Sequence, residues 1–362
     1  MDNRYKLGTR EMLAIILLSI GTKFTDYTPD LLFMKTFMSA WMVPLISAGI
    51  FFLPLFLLVR LLNTYQMSLT DLVKNLMGKY VGTVLCLFLF LFSLIGTSLL
   101  INNYSHIIVT LYFPQSPKGF IQFVLILVCF LIAYGGAYTI GRTAWMILLF
   151  IKITLLILLV LAFSVELNTA YIFPLFGEGV DVLLKESFLY SSIFVECMLL
   201  ATLIPYMKKT KYYSKAALIG IGIVAIEISL FFFYYIIMFD ASVYNMTLPF
   251  QHMTRTVRLG RFISNTEGYF LFGWLLASFV KYAMYLFVTT SLYSQTFKIK
   301  STRSLLLPVT VLVYLLGMLP ENAIKGNLLY RDVNLYIGSF FFVALPFVLW
   351  LFSLRKKASG SS

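Results

Sequence analysis

The 362-residue sequence is poor in the residues on which soluble enzymes and metalloproteins depend. Only 12% of its residues are charged, and it has two histidines and three cysteines. Cys86, Cys129 and Cys197 are odd in number, lie in apolar runs and lack metal-ligand spacing, so we expect reduced packing residues, without disulfides or zinc. The sequence also lacks a Walker loop and the H-E-x-x-H and G-x-S-x-G motifs. We therefore expect neither an enzyme nor a bound cofactor or metal.

Acidic residues are scarce as well. The chain has 15 Asp and Glu against 28 Lys and Arg, which gives a formal net charge of +13. Such an excess can indicate nucleic-acid binding, but most of these cations lie in alternate connections between apolar runs. That distribution is typical of the cytoplasmic loops of membrane proteins. We expect contact with membrane lipid and no nucleic acid.

Apolar residues dominate the chain. It is 60% hydrophobic and 17% aromatic, with a mean hydropathy of +0.90. The first apolar run follows a polar N-terminus without a cleavage site, so we expect it to remain as a span. The pattern predicts one all-α polytopic membrane domain over 1–354 and a short tail over 355–362, with both termini cytoplasmic because the number of spans is even. The ten predicted spans are residues 12–31, 38–62, 80–112, 119–138, 143–165, 187–206, 214–239, 267–297, 302–320 and 332–354.

The first span is interrupted. Gly21 weakens a helix, Lys23 and Asp26 place charges at membrane depth, and Pro29 is expected to end the helical pattern. Broken helices of this kind form binding sites in many transporters. Two simpler interpretations remain open: Lys23 and Asp26 pair with each other on one helix face, or the helix ends near Gly21 and a loop follows.

Three connections carry signals of their own. Ser68 can cap a short helix on the inner membrane surface, for which Gly78 provides a stop. Cationic residues among apolar neighbours in residues 241–267 predict an interfacial helix over the outer mouth. Glycine and proline predict that residues 166–186 are irregular.

The two halves of the chain correspond. Residues 12–165 and 187–354 each contain five predicted spans, and an odd number forces the second set into the inverted orientation. The third member of each set is unusually long, covering 80–112 and 267–297. Paired irregular segments at corresponding positions favour an inverted repeat with a site between the halves.

Three segments carry a family resemblance. The segment from Leu248 to Phe287 resembles a characteristic block of the B subunits of bacterial spore germinant receptors, the spore germination permease family. The N-terminal L-G-T-R-E-M-L-A-I-I-L-L-S-I-G and the Y-G-G-A-Y-T-I-G-R from Tyr134 to Arg142, which we place between spans 4 and 5, agree with it. The resemblance covers essentially the whole chain. It implies the amino acid–polyamine–organocation superfamily and a LeuT-like five-plus-five fold with discontinuous helices 1 and 6.

The resemblance implies a sensor. Such B subunits bind a small germinant, often an amino acid, in the spore inner membrane, together with an A subunit and a lipoprotein C subunit. Two alternatives remain open. In one, the chain is an amino acid permease that transports its ligand by alternating access, coupled to protons or sodium. In the other, it is a scaffold that holds its partners in the membrane.

A LeuT-like bundle implies a ligand site between broken spans 1 and 6 and long spans 3 and 8. Span 1 would offer free amides to a carboxylate, and a glutamate on span 6 could meet an ammonium group. The alternative for each hydroxyl is a hydrogen bond to its own helix. The candidate ligand-binding residues are Gly21, Thr22, Phe24, Thr25, Thr97, Ser98, Ser192, Glu196, Tyr285 and Thr289.

A second set comprises charged residues inside the spans. Lysines in spans 1, 5 and 8 would flank the position that sodium takes in LeuT-like transporters, where an ammonium could replace the cation or exchange a proton. The alternative is a set of fixed ion pairs, which we favour for Lys152. The candidate cation-mimic or coupling residues are Lys23, Asp26, Lys152, Glu227 and Lys281.

Overall fold

The computed structural model describes residues 6–257, 266–320 and 329–359. Within these ranges the chain is all-helical and no strand is present. The α-helices, joined by several 3-10 segments, are α1 (Thr9–Ser19), α2 (Thr28–Thr36), α3 (Val43–Tyr65), α4 (Leu69–Met77), α5 (Lys79–Leu111), α6 (Lys118–Tyr134), α7 (Gly136–Ala162), α8 (Val180–Leu189), α9 (Glu196–Leu199), α10 (Thr210–Phe239), α11 (Pro249–Thr256), α12 (Thr266–Thr296), α13 (Thr302–Met318) and α14 (Asp332–Ser359).

In the described part of the chain, six helices are long and apolar enough to cross a membrane: α3, α5, α7, α10, α12 and α14. The bent pair Val180–Leu189 and Ser191–Tyr206, whose two parts meet at 45°, passes the same test of length and apolarity as a unit and would be a seventh if it is one broken span. The apolar helices α6 and α13 are shorter, with 17 residues each. The chain is therefore an integral membrane protein, whereas the count of ten spans stays a prediction.

The first apolar run is broken, as its sequence indicates. After α1 the chain forms a 3-10 helix over Gly21–Thr25, and Asp26 is extended with φ −106° and ψ −161°. The prediction that Pro29 ends the helical pattern is wrong. Pro29 lies in the first turn of α2, where a missing N–H costs nothing. Every residue from 14 to 33 is buried, so this broken segment forms the centre of the bundle.

The second break lies between α8 and α10. A 3-10 segment over Ser191–Phe194 leads into α9, and a further 3-10 segment over Leu200–Tyr206 follows. The prediction of irregular structure over 166–186 is wrong from Val180 onward, because Gly179, at φ 135°, allows α8 to begin there. The sixth span thus starts before residue 187.

Helix boundaries agree with the sequence in some places and differ in others. The two long helices are confirmed, since α5 has 33 residues and α12 has 31. The inner short helix is also confirmed: the Ser68 hydroxyl accepts the N–H of Asp71 at 3.3 Å, and Gly78 ends α4 at φ 83°. The placement of residues 134–142 as a connection is wrong, because Gly135 alone separates α6 from α7. The C-terminal boundary also differs, since α14 continues to Ser359 and includes most of the predicted tail.

A short backbone pairing joins the two broken segments at the end of the bundle that carries the N-terminus. The Leu7 N–H donates to the Tyr206 carbonyl at 2.9 Å, and the Lys208 N–H donates to the Leu7 carbonyl at 3.0 Å. The start of α1 is thereby fixed to the end of the second broken segment. Close packing adds to this, because Gly220 of α10 lies directly against Ile16 of α1.

Candidate functional site

A cavity of about 50 Å³, the central cavity, lies where the two breaks meet α5, α12 and the start of α14. A volume of that size has room for a few water-sized groups. Its lining combines apolar side chains with charged and polar groups. The lining residues are Lys23, Phe92, Ser93, Gly96, Leu99, Leu100, Ser192, Val195, Glu196, Leu199, Tyr285, Arg331, Asn334 and Leu335.

A buried ion pair connects the two breaks at this cavity. The Lys23 ammonium lies 2.7 and 2.8 Å from the two carboxylate oxygens of Glu196, and it also donates to the Ile193 carbonyl. The Tyr285 hydroxyl donates a hydrogen bond to Glu196 as well. The ammonium that meets Glu196 in this structure is therefore that of Lys23. The alternative in which Lys23 pairs with Asp26 is not the arrangement observed.

Asp26 is the centre of a second charged group. The Arg331 Nη2 group lies 3.0 and 3.1 Å from its two oxygens, and the Lys281 ammonium lies 3.7 Å from Oδ2. Asp26 also accepts the N–H of Thr28 at 2.8 Å, which holds the start of α2. Arg331 precedes the last predicted span and was not among the predicted site residues, yet it is only 6% exposed. Because Arg331 lies at the edge of an apolar run, its position in the sequence did not indicate that it is buried.

A third ion pair lies on the other side of the first break. Lys152 of α7 forms a salt bridge with Glu227 of α10, in keeping with the structural pairing that we favoured for this lysine. The second Glu227 oxygen points at Gly21, where an added Cβ would lie 2.8 Å from it. Gly21 therefore faces α10 and does not line the central cavity.

Three further candidates of span 1 line a separate cavity of about 20 Å³ against α7 and α12: Thr22, Phe24 and Thr25. The carbonyl of Phe24 accepts a hydrogen bond from Tyr235 at 2.9 Å, and that of Thr25 accepts one from Gln251 at 3.0 Å. The Trp274 indole donates to the Thr25 hydroxyl at 2.9 Å. The polar groups that the break frees at these two residues are thus held by other helices.

The remaining candidates with a hydroxyl group are Ser192, Ser98, Thr97 and Thr289, and Ser192 is the one that lines the central cavity. Ser192 lines the central cavity and donates to the Leu335 carbonyl at 2.6 Å. Ser98 bonds the carbonyl of its own helix, the alternative raised for such residues. Thr97 and Thr289 lie 3.1 Å apart, and both contact Ser93, which the sequence reasoning missed. The structure thus brings three ligand candidates and one coupling lysine to the central cavity. The ligand candidates are Ser192, Glu196 and Tyr285, and the lysine is Lys23.

A short helix, α11, packs against the first break. α11 confirms the predicted helix within residues 241–267, although residues 258–265 lie outside the described part of the chain. Its Phe250 ring meets the Phe24 ring edge-on at 5.6 Å between centroids. Arg255 forms a salt bridge of 2.7 Å with Glu267, and the hydrogen bond it donates raises the pKa of Arg255. In the described ranges, no cluster of histidine, cysteine and acidic residues could hold a metal ion.

The sequence as a whole matches one known family. The family described as spore germination protein, a spore permease, matches residues 9–325. The chain belongs to this family. It is similar to spore germination protein A2 of Bacillus subtilis (strain 168), with 24% identity over 85% of this chain and 84% of the relative. It is also similar to spore germination protein KB of the same organism, with 22% identity over 88% and 87%.

Solved transporters share the fold. MHP1, a nucleobase-cation-symport-1 family transporter in a closed conformation with bromovinylhydantoin bound, aligns with 94% of this chain and 78% of its own at a TM-score of 0.65 and 11% identity. MhsT in complex with L-phenylalanine aligns with 93% and 87% at a TM-score of 0.64 and 15% identity. The family member described here therefore has a LeuT-type fold, as expected. Its family and structural neighbours are germination proteins and transporters, not enzymes.

Proposed function

We propose that the chain is the membrane subunit of a spore germinant receptor. It binds a small nutrient germinant, such as an amino acid, in the central cavity and triggers germination with partner subunits. The family match and the similarity to a spore germination protein over 85% of the chain support this function. Binding acts by favouring one of two arrangements of the bundle, which the partners read.

The observation that carries the proposal is the meeting of both breaks at one charged cavity. Lys23 lies on the first break and Glu196 on the second, and both line the cavity. A charge at membrane depth costs at least about 2.5–3.5 kcal/mol on insertion scales, so such residues usually serve a function. A ligand that enters beside this pair contacts both movable segments at once.

The residues that contact the ligand in this proposal are the polar and small groups of the lining. They are Lys23, Ser93, Gly96, Ser192, Glu196 and Tyr285. The other proposed ligand-site residues shape the two breaks and the interior of α5 and α12: Gly21, Thr22, Phe24, Thr25, Thr97, Ser98 and Thr289.

Filling the cavity tests the function. Gly96 lines the cavity, and a Cβ there would lie 3.6 Å from the Asn334 side-chain amide, which is ordinary contact. We therefore expect Gly96→Leu to occupy ligand space without a backbone clash at its Cβ. Gly49→Leu is the matched control, because an added Cβ at this exposed position of α3 meets nothing within 4 Å.

The assay is spore germination across a panel of amino acids, sugars and nucleosides, with protein level checked by immunoblot. We expect Gly96→Leu to abolish the response to one germinant or to shift it to higher concentration at unchanged protein level, while Gly49→Leu responds like the unmodified chain. Equal responses of all three proteins to every compound would contradict the proposed site.

The alternative function is an amino acid permease that works by alternating access, coupled to protons or sodium. The shared fold with two transporters favours it. In that case the buried charged residues would carry the coupling: Lys23, Asp26, Lys152, Glu227 and Lys281. Uptake of labelled amino acid by vesicles that contain this chain alone supports transport, and its absence beside a normal germination response supports the receptor.

The membrane in which the chain lies, the side of its termini and its partner subunits are part of the same proposal. We place it in the spore inner membrane with both termini in the cytoplasm, bound to an A-type subunit and a lipoprotein C-type subunit. In this proposal the two inverted five-helix repeats, predicted over residues 12–165 and 187–354, hold with the second beginning earlier, at Val180. Protease protection of terminal tags in intact and lysed membranes tests the orientation of the termini.

A further inference from the structure

A groove of about 820 Å³ lies between α4, the start of α5 and the end of α12, at the end of the bundle that carries the N-terminus. The Gln295 side chain joins these elements there, because it donates to the Thr202 carbonyl at 2.9 Å and accepts the Thr70 hydroxyl at 2.7 Å. Thr202 belongs to the broken segment that ends at Tyr206, the partner of Leu7. The residues that line this groove, the basic groove, are Met67, Asp71, Lys74, Asn75, Lys79, Thr83, Thr296, Phe297 and Lys298. None of them lines the central cavity.

The lining of the basic groove is rich in positive charge. It contains Lys74, Lys79 and Lys298 against a single carboxylate, that of Asp71, which leaves two positive charges in excess. Among the described residues, none of these lysines has an acidic oxygen within 4 Å. The Asp71 carboxylate accepts the Ser68 hydroxyl at 2.7 Å and belongs to the cap of α4. The groove therefore complements an anionic ligand.

The backbone around the groove adds to this positive potential. The Lys74 ammonium donates to the Thr296 carbonyl, and Gly82 lets α5 pack directly on Lys74, since an added Cβ would lie 2.6 Å from its Cα. These contacts fix α4 against both long helices. At Gly78 the space is open, with nothing within 4 Å of an added Cβ, and α5 begins there without a side-chain cap. The first N–H groups of a helix have no acceptor within it, so the start of α5 also favours an anion.

Exposed apolar side chains adjoin the groove. On α5, Tyr80 is 85% exposed and Val84 is 67% exposed. They directly follow Lys79 and Thr83, two residues of the groove lining, so the polar and apolar faces are neighbours on one helix. Phe297, which is half-exposed, borders the groove at the end of α12. In an integral membrane protein, exposed apolar side chains on a long apolar helix contact the acyl chains of lipids.

We propose that the basic groove binds the headgroup of an anionic phospholipid, whose acyl chains lie along the exposed apolar side chains at the start of α5. The phosphate meets Lys79, Lys298 and the first N–H groups of α5. A fourth cation lies at the edge of the groove, where Lys356 donates to the Asn75 side-chain oxygen at 2.8 Å. Clusters of lysine and arginine at the ends of membrane helices are typical of anionic lipid recognition. A soluble anion would leave the adjoining apolar surface unused.

The probes are phosphatidylglycerol and phosphatidylcholine with identical acyl chains, together with glycerol 1-phosphate and inorganic phosphate, which carry the anionic group without the chains. Binding is measured by native mass spectrometry of the full chain, titrated with each lipid in a neutral detergent. We expect phosphatidylglycerol to bind about twentyfold to thirtyfold more tightly than phosphatidylcholine, because each of two basic residues at the membrane surface contributes about fivefold. The two soluble anions at the same concentration should not displace it.

Variants assign the preference to the groove. Lys79 and Lys298 are exposed, so their replacement leaves the packing of the bundle intact. We expect Lys79→Gln and Lys298→Gln each to weaken phosphatidylglycerol binding about fivefold, and the double variant to abolish the preference over phosphatidylcholine. The matched control is the double variant Lys211→Gln and Lys215→Gln, which removes two exposed charges from the start of α10, at the same end of the bundle but outside the groove. It should bind both lipids like the unmodified chain.

Three results would overturn the proposal. Equal binding of the two lipids removes the anionic lipid and leaves the groove to an acidic segment of a protein partner. An equal loss in the groove and control variants shows that the overall charge of this end, and not the groove, attracts the lipid. Displacement by glycerol 1-phosphate or inorganic phosphate assigns the groove to a soluble anion. None of these measurements involves germination or the central cavity, so the proposed function is tested separately.

Discussion

Separating the buried ion pair between Lys23 and Glu196 should destabilise the protein far more than removing both charges. The two side chains are 5% and 7% exposed, so water screens neither charge. Removal of one partner from such a pair costs about 3–5 kcal/mol, because the other charge stays buried alone. Replacing both with neutral groups of similar volume is often close to neutral.

The structure sets the direction for each variant. In Lys23→Met, the hydroxyl of Tyr285 is the one partner that the Glu196 carboxylate keeps among the described residues. In Glu196→Gln, the Lys23 ammonium keeps the Ile193 carbonyl but loses its counter-charge. We expect each single variant to lose about 3–5 kcal/mol of unfolding free energy and the double variant to lose less than either single one.

The measurement is chemical unfolding of the purified chain in detergent micelles, followed by circular dichroism. A surface cycle is the control: Arg255→Gln, Glu267→Gln and their combination remove a pair whose side chains are 37% and 24% exposed. That pair should couple by only about 0–1 kcal/mol. If the Lys23 and Glu196 effects simply add, the two charges are not coupled, and the reasoning is refuted.

Two further predictions concern packing and capping, and both use the same unfolding measurement. Gly220→Ala should lose about 1–3 kcal/mol, because its new Cβ would lie 2.7 Å from a methyl group of Ile16, whereas Gly222→Ala meets nothing within 4 Å and should be neutral or stabilising. Equal stability of the two alanine variants would show that α1 and α10 are not in close contact. Ser68→Ala should lose about 0.5–2 kcal/mol, since the N–H of Asp71 then lacks its acceptor, and an unchanged protein would show that α4 needs no cap.

The features that the sequence could predict are local. Gly21 and the charges that follow it sit inside an apolar run, so the break is visible without a partner. The long helices α5 and α12 follow from uninterrupted apolar runs, and the hydrogen bond of Ser98 to its own helix follows from spacing alone. Pro29 was misread because a proline has opposite meanings at the start and the end of a helix.

The features that the sequence could not predict are contacts between distant segments. Arg331 lies 305 residues from Asp26 along the chain, and nothing in either neighbourhood indicates that they meet. Lys23 and Glu196 are 173 residues apart, so the sequence does not indicate that the Glu196 carboxylate forms an ion pair with Lys23. Gly21 and Ser93 show the same limit: the first faces α10 and the second faces α12, and both orientations depend on how the helices pack.

The backbone pairing of Leu7 with Tyr206 and Lys208 gives the two broken segments a common fixed end. Segments joined at one end behave as levers: displacement grows with distance from the joint. A separation of Lys23 from Glu196 would therefore be expected to displace the far ends more, where α11 contacts the first break. If the chain is the proposed receptor, we therefore expect ligand binding in the interior to move the end of the bundle near α11 more than the end that Leu7 and Tyr206 join.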